Sequence, residues 1–281
     1  MLVDNSGLDA ILRWDPDVRA RFDTCIAARR LVTYFAPETL AEMFSIGATT
    51  RADQLPTLAT LVLAIFNGRI LNHHFWRILD EVTGQSAGPF LAASMARGFL
   101  ERVNHIATGE RVPDREWFNR GAELTRTAKT DDQRWRTGFQ QMYRDRDRAK
   151  EGPSPLEEFI RSSTVRELVL SRVEAICTEA KAPNPAARAS EIVDGGFARL
   201  PALAAHVFLR VARLWWYTEY SYEGRRASDD LFDDALLEYL TELDVLLTPD
   251  RALTDFGRTV YPDKRIVSPD EFCREYLNAG A

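Results

Sequence analysis

Residues 229–250, DDLFDDALLEYLTELDVLLTPD, change period part-way, and that change decides the fold. Up to Leu243 the apolar residues recur at helical spacing. Phe232, Ala235, Leu236, Tyr239 and Leu243 fall on one face at about 100° per residue. Within Asp244 to Thr248 the centre, Val245-Leu246-Leu247, is then apolar without a break, as expected of a buried strand. A helix leading into such a strand is half of a βαβ unit, so further strands are needed.

Those strands are found at the chain ends. Leu2-Val3 is a short apolar run that stops at Asp4, and LVTYFA (Leu31 to Ala36) is β-branched and aromatic. Pro37 opens a helix where its missing N–H costs nothing, with Glu38 at the positive end of the dipole. Beyond residue 250 a helix over Asp250 to Val260 precedes RIVS (Arg265 to Ser268), and PDEFCREYL (Pro269 to Leu277) reads as a closing helix. From Leu55 to about Tyr222 the periodicity is helical and punctuated by Gly and Pro. The expected class is α/β, dominated by helix. A discontinuous α/β domain of residues 1–55 and 225–281 would carry the parallel sheet, and residues 56–224 would form an all-helical insertion.

Composition sets the outer bounds. In 281 residues, 45% hydrophobic and 28% charged side chains suffice for a real core. Three widely spaced cysteines, Cys25, Cys177 and Cys273, suit neither a disulfide framework nor a zinc spacing. With no leader-like start and no apolar stretch long enough to span a bilayer, a soluble cytoplasmic chain without membrane partners is expected. The net charge of −6 argues against a polyanionic partner, but it is unevenly spread. Glu101 to Lys150 holds 12 Lys and Arg against 9 Asp and Glu, a local +3.

In a parallel sheet, groups just past the carboxyl ends of strands converge on one crevice. Asp4 ends the first strand, and Asp250 lies two residues beyond DVLLT. Glu42 sits on the helix after LVTYFA, while Asp230 and Asp233 share a face of the helix before DVLLT. Asp233 falls at the flank of the apolar stripe and Asp234 points toward solvent, so Asp233 is preferred as a ligand, with Asp230 as helper. Converging carboxylates repel unless a cation neutralises them, and hard oxygen donors favour Mg²⁺ or Mn²⁺. An Asp just after a strand also reads as an ordinary helix cap, Asp250 before Arg251-Ala252-Leu253 especially.

These segments resemble the PIN-domain family of metal-dependent nucleases. The likeness lies in the strand ending Asp4-Asn5-Ser6, in PETLAEM with Glu42, in DDLFDDALLEYLTELDVLLTPD and in RIVSPDEF. It covers residues 1–50 and 228–273, about one third of the chain. The resemblance implies Asp4, Glu42, Asp233 and Asp250 as catalytic, metal-holding acids, with Ser6 and Thr248 as supporting hydroxyls. It implies a divalent-metal-dependent endonuclease acting on RNA, with DNA left open. The chain departs from the family in its long helical middle and in Asn5, where Thr or Ser is commoner.

Two further readings stand beside it. One is a catalytically inactive PIN-like module that binds RNA or protein, and the other is a helical interaction protein. The oligomeric state and any protein partner stay open. Trp117 to Lys150 mixes aromatics with arginines, including Arg144, Arg146 and Arg148, which suit phosphate and unpaired bases. Asp145 and Asp147 interleave with them, which equally suits a solvated face of ion pairs. His73 and His74 have no third ligand at helical spacing, and His105 and His206 stand isolated, so all four read as ordinary core or surface histidines. Leu214-Trp215-Trp216-Tyr217 reads as core or an oligomer interface.

Overall fold

Leu2 and Val3 at one end of the chain pair with Leu246 and Leu247 near the other. The computed structural model describes residues 1–46, 52–85, 88–110, 137, 155–219 and 230–277. In chain order its main elements are β1 (Leu2–Val3), α1 (Asn5–Leu12), α2 (Pro16–Ala27) and α3 (Pro37–Ile46). Next come α4 (Leu55–Ile65), α5 (His74–Val82), α6 (Ala93–Thr108) and α7 (Leu156–Ile160). Then follow α8 (Ser163–Glu179), α9 (Pro185–Asp194), α10 (Pro201–Glu219) and α11 (Asp230–Glu238). The chain closes with β2 (Val245–Leu247), α12 (Arg251–Val260), β3 (Arg265–Val267) and α13 (Pro269–Phe272). The class is therefore α/β and helix-dominated.

The chain forms two compact units. The first takes in the described residues of Met1–His73, Gly88–Arg126 and Glu242–Ala281, and the second those of His74–Ala87 and Thr127–Thr241. The stretch before His74 that includes α4 thus lies with the chain ends, and α11 lies with the helices of the second unit.

In the first unit the sheet has the order β1-β2-β3, all parallel. Leu2, Val3, Leu246, Leu247, Ile266 and Val267 are all buried, so the strands present apolar side chains to helices on both faces. Each strand has only two or three residues, and this limits what can pair beside it. The LVTYFA run, expected as a strand, is reduced to bridges of Tyr34 with Leu2 and of Phe35 with Ile70. The Tyr34 N–H goes to the carbonyl of Met1 at 2.9 Å and the Thr33 N–H to Asn67 Oδ1 at 2.9 Å. A two-residue β1 offers no longer ladder.

Leu8, Ile11, Phe22, Leu40, Leu58, Val62 and Phe272 build the core around the sheet. Gly7 lets α1 lie against β2. A Cβ there would stand 2.7 Å from Asp4 Oδ1 and 2.8 Å from the Leu247 carbonyl, closer than real contacts allow.

The second unit is helical throughout its described residues. Val165, Ile176, Leu203, Val207 and Leu214 form its centre, joined by Ile78 from α5. Glu81 reaches from α5 to cap α10, accepting from the backbone N–H groups of Ala202 and Leu203 at 3.0 Å each. The helix expected over Asp230 to Leu243 stops at Glu238 and tightens into a 3₁₀ turn over Tyr239–Thr241. None of the helices in the described residues is long and apolar enough to cross a membrane.

Candidate acidic site and a buried histidine cluster

Asp4 leaves β1 with extended backbone and caps α1, its carboxylate accepting from the Gly7 N–H. Its other oxygen, Oδ2, accepts the Thr248 hydroxyl at 2.7 Å. Thr248 follows β2, is fully buried, and in turn accepts from the Asp250 N–H at 3.1 Å. Asp250 caps α12, taking the N–H groups of Ala252 and Leu253 at 2.7 and 3.1 Å. Two acids at the carboxyl ends of neighbouring parallel strands are thus held by one threonine.

Burial raises Asp4 to about 7, and the charges of Asp250 and Asp9 add to the rise. The Thr248 and Gly7 hydrogen bonds oppose it and lose. Asn5, one residue on, has a buried Oδ1 without a hydrogen-bond partner among the described residues. The neighbours of Asp4 are therefore a hydroxyl, an amide and further carboxylates. Among the described residues no cationic group contributes to the Asp4 shift, so its surroundings are rich in oxygen, the donor type that hard cations prefer.

The other expected ligands are placed less closely. Ser6 is exposed on the first turn of α1, and the contacts to Asp4 come from Gly7 and Thr248 instead. Glu42 is half-buried on α3. One turn earlier Glu38 is buried, 3.4 Å from His73 Nε2. Among the described residues, Asp4, Glu42 and Asp250 do not form a trio with ligand atoms all within 4.8 Å of one another. Asp233 is half-buried on α11 in the second unit, and the side chain of Asp230 lies outside the described residues. The Trp117–Lys150 stretch, Thr137 apart, also lies outside them, with Arg144, Arg146 and Arg148.

Asp234 corrects the helical-wheel reading. It is fully buried rather than turned to solvent, and its Oδ1 accepts from Arg213 Nε at 2.8 Å and Nη2 at 2.6 Å. Arg210 Nη1 stands 3.9 Å from Oδ2. The reason lies in the packing of α10 on α11, because α10 brings charge to that contact. His206, Arg210 and Arg213 recur at i, i+4 and i+7, and all three are buried. The matching acids, Asp234 and Glu238, are four apart on α11. Both stripes can be read from sequence once buried charge is allowed to pair.

His206 is likewise not isolated. Its Nδ1 meets Glu238 Oε1 at 2.8 Å, both residues buried, and its ring stacks on that of His74 with centroids 6.3 Å apart. His74, His206 and Glu238 offer three ligand atoms within 4.8 Å of one another, all in the second unit. Burial pulls His206 down to about 4, and Arg210 and Arg172 push the same way, so the imidazole is neutral near pH 7. Burial alone would raise Glu238, but His74, His206 and Arg210 overcome it and hold the carboxylate ionised. Leu214 and Trp215 are buried, as a core role requires.

Set against family models, curated proteins and solved structures, the chain matches none.

Proposed function

We propose that the chain is a divalent-metal-dependent endoribonuclease with a PIN-like acidic centre. The observation that supports this best is Asp4, buried at the end of β1 beside Asp250 at the end of β2, with a carboxyl pushed up to about 7. A buried acid next to another acid costs free energy. Positive charge brought in by a ligand recovers it.

Mg²⁺ or Mn²⁺, when bound, would supply an activated water and stabilise the leaving oxygen in phosphodiester hydrolysis. Asp4 and Asp250 would hold it, with Thr248 fixing the Asp4 carboxylate and the Asp250 backbone. Glu42, in the same unit, joins the proposed acid set with Ser6 as a further hydroxyl, and Asp233, with Asp230 as its helper, stands only as what the PIN-like resemblance implies. Arg144, Arg146 and Arg148 would supply the attraction for a polyanion that an acidic centre lacks. RNA is preferred as substrate because the aromatics interleaved with those arginines suit unpaired bases.

The capping roles of Asp4 and Asp250 support the second reading, an inactive PIN-like module that binds RNA or protein. Carboxylates occupied by helix N-termini have a structural use without any metal. Incubating the chain with end-labelled single-stranded RNA and matched DNA, with Mn²⁺ or with chelator, separates the two. Metal-dependent cleavage of the RNA is expected for the first reading. Binding without cleavage in any metal selects the second.

A further inference from the structure

The second unit carries a group of donors quite unlike the oxygen-only set around Asp4. His74 opens α5, His206 sits in the second turn of α10, and Glu238 closes α11, so three packed helices each contribute one ligand. The Tyr239 hydroxyl accepts from the His74 backbone N–H at 3.1 Å, which ties the start of α5 to the residue after Glu238. Donors held this way on regular elements are positioned more firmly than donors on loops.

The 2.8 Å contact between Nδ1 and Oε1 is a hydrogen bond, bridged by a proton. A divalent ion can take that proton's place. Tetrahedral ligands at about 2.0–2.1 Å from zinc lie about 3.3 Å apart, so the pair needs to open by only about 0.5 Å. Two nitrogens and one carboxylate suit a borderline metal such as Zn²⁺ far better than Mg²⁺. His74 is half-buried, the most accessible of the three, and gives the ion a way in.

Two arginines bear on the charge. Arg210 is turned toward Asp234, and Arg172 Nη2 lies 3.4 Å from His206 Nε2, the nitrogen remote from Glu238. Metal entry has to move Arg172, whose half-exposed side chain has solvent to move into.

We infer that His74, His206 and Glu238 form a three-ligand site for a zinc-class divalent cation, separate from the acidic centre. Co²⁺ is the direct probe, added to the full chain in excess Mg²⁺ and followed by its visible absorption. One equivalent should give a band of tetrahedral type, without thiolate charge transfer from the free Cys25, Cys177 or Cys273, and Zn²⁺ should abolish it. His74→Gln should remove the band while the metal-free melting curve stays in place. Arg172→Ala should tighten Co²⁺ binding several-fold by removing a like charge. Asp4→Asn should keep the band, so failure here and failure of the nuclease reading are distinguishable. No band, a band carried by thiolate, or a His74→Gln variant that binds like the parent overturns the inference.

Discussion

The two units bury carboxylates in opposite ways. In the sheet unit Asp4 is surrounded by a hydroxyl, an amide and other acids, and its carboxyl is raised to about 7. In the helical unit Asp234, just as buried, receives two hydrogen bonds from one guanidinium. Glu238 lies between these cases, held mainly by imidazoles. Burial alone therefore does not mark a functional acid. The neighbours separate the two cases: Asp234 meets its own arginine, whereas Asp4 meets a hydroxyl, a backbone N–H and other acids.

The largest test of this contrast is Asp234→Ala. It leaves Arg213 buried without its carboxylate, and a loss of about 3–5 kcal/mol in urea unfolding is expected. A loss below about 1 kcal/mol would mean that the pair is as dispensable as a surface one.

Asp4→Asn should act in the opposite direction. Asp4 titrates higher in the folded chain than its ordinary 3.8, so the folded state holds an extra proton between about pH 4 and 7. Stability falls as pH rises through that window and stays low above it, by an amount on the order of 4 kcal/mol for the whole shift. The variant should therefore gain roughly 2–4 kcal/mol over the parent at pH 8 in chelator, with the gain fading toward pH 4. Equal stability of the two at pH 8 would show that Asp4 carries no such penalty.

A smaller effect is expected at the seam beneath the acidic pair. Gly7→Ala forces a methyl against Asp4 Oδ1 and the Leu247 carbonyl, and should cost about 1–3 kcal/mol by calorimetry. A neutral outcome would show that α1 can lift from β2, and with it the Asp4 cap.

How much of this was legible beforehand follows from what kind of signal each feature leaves. The strand residues Leu2–Val3, Val245–Leu247 and Ile266–Val267 are unbroken apolar or β-branched runs, and Pro37, Asp250 and Ser268 mark helix starts locally. Parallel pairing between the chain ends followed from those runs. The shrinkage of LVTYFA to isolated bridges did not, because it depends on β1 being too short to pair with it. The buried face of α11 was misjudged for a different reason. A wheel that places every charge outside cannot see Asp234 meeting Arg213, since the partner lies 21 residues away on another helix. His206 was missed for the same cause, its carboxylate being supplied by the following helix. At the acidic site, Asp4, Thr248 and Asp250 were legible because each lies next to a strand end, whereas the spatial place of Glu42 and Asp233 depends on helix packing.

Cleavage of single-stranded RNA in Mn²⁺ by the parent chain, by Asp4→Asn and by Asp250→Asn tests the central claim most directly. The parent is expected to cut, chelator to stop it, and each variant to fall to the uncatalysed background while its melting curve shows an intact fold. Cleavage by Asp4→Asn at the parent's rate would contradict it, as would a folded parent chain that leaves RNA uncut in every divalent metal.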